Sequence, residues 1–202
     1  MSTRLLYTNL TPPIAMPLRR KTGLRIVPRL ATAAAAAAAA PTATDVKLVF
    51  QEQTQWCWAA CTAMIAQFLG IEDIKQCELA NFLHEQTKCC QKPSWSKCNR
   101  PCATEKIMPV YAHLGVTGLG PDLPLAEATL RDELQSGRPV EVGFLWFNDG
   151  GHVVIVYGFT TNGYFNVHDP WIGTGFATYE FLRNAYHNGG RWDLSFGQFK
   201  RA

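Results

Sequence analysis

Residues 51–64 read Gln51-Glu52-Gln53-Thr54-Gln55-Trp56-Cys57-Trp58-Ala59-Ala60-Cys61-Thr62-Ala63-Met64. A polar, glutamine-rich approach stops at Trp56. A run of small, helix-favouring residues follows, and Ile65, Ala66 and Phe68 extend it to Gly70, a natural C-terminal stop. The pattern predicts a helix over 57–69, with Cys57 where the loop becomes the helix. The first N–H groups of a helix lack partners and carry partial positive charge. A thiol at such a place gives up its proton more readily, and the thiolate is the nucleophile. The same N–H groups can hold the oxyanion formed when it attacks a carbonyl. The plainer reading of Cys57 is structural, as a small buried hydrophobe or half of a disulfide. A base elsewhere in the chain must decide between them.

The chain has 202 residues, enough for one ordinary domain and a tail, and 47% of them are hydrophobic. The sequence has no uncharged apolar run of about 18 residues, the length a membrane-spanning helix needs. The formal net charge is +3, but the first forty residues hold Arg4, Arg19, Arg20, Lys21, Arg25 and Arg29 and no acid. Without those six, 13 basic residues face 16 acidic ones and the balance is −3. The basicity belongs to the tail, so the domain lacks the electrostatic footprint of a nucleic-acid binder. Residues 1–44 also carry five prolines and an unbroken Ala33–Ala40 run. They read as a tail outside the domain of 45–202: an export signal, a propeptide or an Ala/Pro-rich linker.

Seven cysteines occur: Cys57, Cys61, Cys77, Cys89, Cys90, Cys98 and Cys102. An odd count suits one reactive thiol and three bridges, so Cys61, Cys77, Cys89, Cys90, Cys98 and Cys102 are the disulfide candidates. Their density at 77–102 points to an oxidising compartment, secreted or periplasmic. The loop 89–102 also holds four cysteines close enough to suggest zinc, but the vicinal pair and the absence of a CxxC spacing favour bridges.

Beyond a short strand at 46–50, the chain predicts helices at 57–69, 73–86, 104–114 and 124–136, joined by the bridged loop and a Gly118-Leu119-Gly120-Pro121 connector. The character then changes. A strand at 139–146 leads to an Asn148-Asp149-Gly150-Gly151 turn. His152 to Phe159 is a β-branched, nearly all-apolar strand, and Asn162-Gly163 marks the hairpin that returns through 164–169. A helix at 178–186 and a strand at 191–199 finish it. Helices first and antiparallel strands second make an α+β protein in two lobes, helical over about 51–137 and β over about 138–200.

The hairpin supplies a base and its orienter. His152 opens its strand beside Gly150 and Gly151, where a substrate can approach closely. Asp169 ends the returning strand before Pro170. Cys57, His152 and Asp169 would then act as nucleophile, base and orienter. His152 lies further from the turn than Asp169, so a bulge or curve must bring them together. His168 points to the opposite face. His84, His113 and His187 fall in helical stretches and read as solvated or structural.

With these residues in hand, the sequence resembles the papain-like cysteine peptidases. Gln51 stands six residues before Cys57, where that family carries its oxyanion glutamine. Cys57-Trp58-Ala59, Gly150-Gly151-His152-Val153-Val154 and Asp169-Pro170-Trp171 match its nucleophile, histidine and third-member motifs in order. Asp in the third place departs from papain and is similar to the compact bacterial branch, with its plant-pathogen effector peptidases and bacteriocin-leader peptidases. So are Trp56, Ala60, Cys89-Cys90 and Gly137-Arg138-Pro139-Val140. The resemblance covers about residues 46–195. It implies peptide-bond hydrolysis through an acyl-enzyme, in a cleft between the lobes that Trp58, Gly150 and Gly151 help to line. The oxyanion would be held by the Cys57 N–H and the Gln51 amide, with Gln53 and Gln55 as rival donors. The expected enzyme is a monomer that needs no cofactor or metal and takes a protein or peptide substrate. Three alternatives stand beside it: a transglutaminase-type acyltransferase, a bridged binding module in which Cys57 is paired, and a zinc module at 89–102.

Overall fold

The computed structural model describes residues 44–147 and 150–202. The tail reading of 1–44 lies, except for Thr44, outside the described residues. So do Asn148 and Asp149 of the predicted turn.

Among the described residues, six helices and six strands follow one another. They are α1 (Cys57–Phe68), α2 (Gln76–Leu83), α3 (Thr104–His113), β1 (Val116–Asp122), α4 (Glu127–Gln135), β2 (Val140–Leu145), β3 (Gly151–Phe159), β4 (Tyr164–Asp169), β5 (Gly173–Thr178), α5 (Tyr179–Asn184), α6 (Tyr186–Gly189) and β6 (Arg191–Arg201). The strands form a single antiparallel sheet in the order β1-β6-β2-β3-β4-β5. The class is α+β.

The apolar pattern of β3 explains the layering. Its nearly continuous hydrophobic run is buried on both sides. Val153 and Ile155 join the core under α1, α2 and α3, while Val154 and Val156 join a second core with Leu130, Leu134, Leu182 and Tyr186. The sheet is thus a shared middle layer. α4, expected in the helical lobe, packs with the second core instead, because Leu130 and Leu134 face β2 and β3.

α1 is central. Trp58 through Ala66 are all buried, and its many small side chains let it lie close to β3. It ends as the sequence suggested: Gly70 takes a positive φ of 78°, and the N–H groups of Gly70 and Ile71 reach back to Gln67 and Ala66.

Three local expectations change. Residues 46–50 are not a strand. Their segment crosses the structure on isolated contacts, from the Thr44 N–H and hydroxyl to the Tyr157 carbonyl and from Gln51 N–H to the Pro170 carbonyl. The Gly118–Pro121 connector is instead part of edge strand β1, bulged against β6. Its glycines are needed for that approach, since a Cβ at Gly120 would stand 2.7 Å from the Ser195 carbonyl oxygen. β5 is a further edge strand that no motif announced.

Candidate active site

Cys57 is the first residue of α1, a half-buried free thiol. The residue before it, Trp56, offers the helix no side-chain cap, and the first turn carries no acid. The leading N–H groups of α1 therefore meet no side-chain acceptor at the helix start.

His152 is the second residue of β3 and Asp169 the last of β4. The register shows how they meet. Phe159 pairs with Phe165 and Gly158 with Asn166, but beyond a bulge at Tyr157 the pairs are Val156 with Val167 and Ile155 with His168. Extending that register sets Asp169 opposite Val154, on the face that also carries His152. Without the extra residue, Asp169 would stand opposite Ile155 and face the other way. The bulge turns two residues of opposite parity into neighbours. His152 Nε2 lies 2.9 Å from Asp169 Oδ1. The ring's other nitrogen takes no part in that bond, and Cys57 lies near enough to the ring to help raise its proton affinity. Cys57 packs against the first core while His152 and Asp169 lie on the opposite sheet face, so the three meet at the end of β3.

Asp169 is fully buried and well supplied with donors. Its Oδ1 also accepts from the backbone N–H groups of Trp171 at 2.8 Å and Ile172 at 3.3 Å. Its Oδ2 accepts from the Tyr186 hydroxyl at 2.8 Å. Burial alone would raise the carboxyl, but His152 and these donors outweigh it and hold the group below its ordinary value. For His152, whose side chain is 14% exposed, burial works against the charge. The Asp169 carboxylate, with a smaller contribution from Cys57, overrides it and pushes the ring up to about 10. The ring therefore carries a proton at neutral pH.

Gln51 reaches the same neighbourhood, since its N–H is tied to the residue after Asp169. One amide N–H donates to the Gln53 carbonyl at 2.7 Å, and Oε1 is buried without a partner. A second amide N–H remains. Among the rivals, the Gln53 carbonyl accepts both that bond and one from Trp56 N–H, and the Gln55 N–H bonds Asn99 Oδ1. Trp58 is only 3% exposed, and its indole donates to the Arg100 carbonyl. It supports the site from beneath and offers a substrate little surface. Gly150 is buried, while Gly151 is partly exposed and opens β3 opposite Leu145.

The cysteine expectation needs correction. Two bridges form, Cys77–Cys90 and Cys89–Cys98. Cys61 and Cys102 join Cys57 as free cysteines. Cys61 lies one helical turn after Cys57, under the sheet, and its thiol donates to the Val153 carbonyl. Cys102 likewise donates to the carbonyl of Ala103. Both behave as small buried hydrophobes, and burial pushes both thiols well up. The bridges also take three of the four cysteines at 89–102 away from any metal.

His84 caps α2 edge-on to Trp58, and burial with Arg100 nearby lowers it to about 4. His113 stacks on Phe82. His168 bonds the Val46 carbonyl and the Thr174 hydroxyl, away from the site. His187 is the exception, because its Nε2 lies 3.9 Å from Asp169 Oδ2. It and Tyr186 were missed as neighbours of the site. They follow Asp169 by 18 and 17 positions in a stretch that matches no motif.

Residues 40–184 match the family described as papain-like cysteine protease AvrRpt2. The chain belongs to that family. Among solved structures, this peptidase is similar to the peptidase domain of Streptococcus ComA, a bifunctional ABC transporter involved in quorum sensing. The TM-score is 0.56 and the identity 19%, over 78% of this chain and 99% of that one. A double-glycine-motif protease from an AMS/PCAT transporter, solved with a leader peptide, gives 0.53 and 16% over 79% and 94%. Xylellain, a cysteine protease from Xylella fastidiosa, gives 0.50 and 13% over 94% and 100%. At these identities the likenesses speak for the fold. No curated protein matches the chain.

Proposed function

We propose that this cysteine peptidase is an endopeptidase acting on protein or peptide substrates, with Cys57 as nucleophile, His152 as base and acid, and Asp169 as orienter. The observation that carries the reading is the imidazole of His152, bonded through Nε2 to the buried Asp169 at the end of β3, with the half-buried free thiol of Cys57 near enough to raise its proton affinity. His152 already holds the proton taken from the Cys57 thiol when Sγ attacks the scissile carbonyl as the thiolate. It then gives that proton to the leaving amine, and a thioester remains on Cys57. A water molecule hydrolyses the thioester, passing its proton to His152 as Sγ leaves.

The uncapped N–H groups at the start of α1 and the remaining amide N–H of Gln51 are the oxyanion donors. Loss of one such donor costs about 10²–10³ in rate, the fall expected of Gln51→Ala. The fold likeness to a protease solved with a leader peptide supports a peptide as substrate. The two disulfides favour an oxidising compartment, outside the cell or in a periplasm.

The test is hydrolysis of denatured casein by wild type, Cys57→Ala and His152→Ala, with circular dichroism to show that each is folded. Both variants should be inactive. Full activity in Cys57→Ala sinks the mechanism. Amine incorporation that exceeds hydrolysis would mark an acyltransferase instead.

A further inference from the structure

We infer that Tyr186 is a positioning residue for the reaction: it holds the second oxygen of Asp169 so that the first stays on His152. The inference rests on the catalytic reading above and extends it to a residue outside every motif.

The two oxygens of Asp169 are treated differently. Oδ1 faces His152 and two backbone N–H groups, while the bond to Oδ2 comes from the Tyr186 hydroxyl. The other polar group facing Oδ2, His187 Nε2 at 3.9 Å, lies beyond hydrogen-bond length. A carboxylate gripped at one oxygen can still turn about its Cβ–Cγ bond. Gripped at both, it cannot, and the imidazole that bonds it is fixed in plane and tautomer.

Tyr186 is itself immobilised. Its ring is fully buried and stacks on Phe144, with centroids 4.0 Å apart and planes 1° from parallel. Phe144 is the residue paired with His152 across β2 and β3. The tyrosine thus rests on the neighbour of the base while its hydroxyl reaches the orienter. Its backbone exchanges two hydrogen bonds with Gly190. Gly190 must be glycine there, since a Cβ would come 2.6 Å from the Trp146 ring. That indole in turn donates to the His187 carbonyl at 2.8 Å. The segment 186–190 is therefore locked from two sides, as a support that sets the angle of a reacting group must be.

The experiment uses Tyr186→Phe, which keeps the ring and its stack and removes the hydroxyl. On labelled casein, kcat should fall roughly tenfold with KM unchanged, the scale of one hydrogen bond to a charged group. In the Asp169→Asn background, the same change should cost little, because the residue it acts through has already changed. The downfield proton resonance of the His152–Asp169 hydrogen bond, read in folded Cys57→Ala, should move when Tyr186→Phe is added. Wild-type kcat, or equal losses in both backgrounds with an unmoved resonance, overturns the inference. If Tyr186→Phe does not fold, 3-fluorotyrosine at position 186 replaces it. That residue keeps the shape and strengthens the donor, so the resonance must again move, and a fixed resonance overturns the idea. An active Cys57→Ala would instead overturn the catalytic reading. An inactive Cys57→Ala beside a wild-type kcat in Tyr186→Phe overturns this inference alone.

Discussion

The indole of Trp56 donates to the carbonyl of Cys98 at 2.9 Å, so the residue before Cys57 is bonded to a half-cystine. It is one of four such ties. Trp58 Nε1 reaches the Arg100 carbonyl, Gln55 N–H reaches Asn99 Oδ1, and Asn99 Nδ2 returns to the Thr54 hydroxyl. The start of α1 is thus held by Cys98 and the two residues after it, which the Cys89–Cys98 bridge anchors. Removing the bridge with Cys89→Ser and Cys98→Ser should cost about 2–4 kcal/mol of stability. It should also lower kcat at a temperature where the variant is fully folded, because the approach to Cys57 loosens. Urea unfolding and casein hydrolysis measure the two effects. A destabilised variant with wild-type kcat would reduce the bridge to a staple.

The three free cysteines should differ sharply in reactivity. Cys57 is partly exposed, while Cys61 and Cys102 are buried and hydrogen-bonded to carbonyls. Iodoacetamide should label one thiol in the native protein, at Cys57, and three after unfolding without reductant. Mass spectrometry of the peptides reads the sites. Native labelling of Cys61 or Cys102, or none at Cys57, would contradict this arrangement.

The charge of Asp169 sets a pH prediction. Burial by itself would make His152 lose its proton early, and the carboxylate reverses this, pushing the ring to about 10. The protonated ring needed for the leaving amine is present below that pH and lost as pH rises through it. Asp169→Asn keeps a hydrogen-bonding side chain but removes the charge. The alkaline limb of kcat/KM should therefore move down toward the ordinary histidine range, while activity below it survives in part. Profiles of both proteins from pH 5 to 11 test this. A limb that stays in place means that the carboxylate charge does not hold the proton.

The residues of the candidate site were legible in the sequence far better than their meeting. His152 and Asp169 stood out by motif, yet their contact depends on the extra residue at Tyr157. In the apolar run of β3 only Gly158, beside Tyr157, hints at where the bulge falls. The helices α1 to α4 were readable from apolar spacing and stops such as Gly70. β1 was not, because Gly118, Gly120 and Pro121 are depleted in strands, and here they serve the close approach of β6. Counting cysteines overstated the bridges, since a buried thiol and a half-cystine look alike in sequence. Tyr186 acts through a hydroxyl 17 residues beyond its partner, a distance that only the fold closes.

Glu141 gives the last prediction. It lies on β2, fully buried, with the Tyr111 hydroxyl donating to Oε2 and no partner for Oε1. Burial pushes its carboxyl from 4.5 up to about 8, although the Tyr111 bond pulls the other way. A raised carboxyl contributes stability that is full below its unfolded value. That contribution drains away as pH rises toward the folded one, since the unfolded chain ionises first. Wild type should therefore lose stability between about pH 4.5 and 8 on this account. Glu141→Gln, uncharged throughout, should not. The difference in Tm between Glu141→Gln and wild type, followed by circular dichroism at pH 5, 7 and 9, should grow in favour of the variant. Because both proteins share every other titrating group, the difference isolates Glu141. A gap that stays constant with pH would show that this carboxyl ionises as easily in the folded protein as in the unfolded chain.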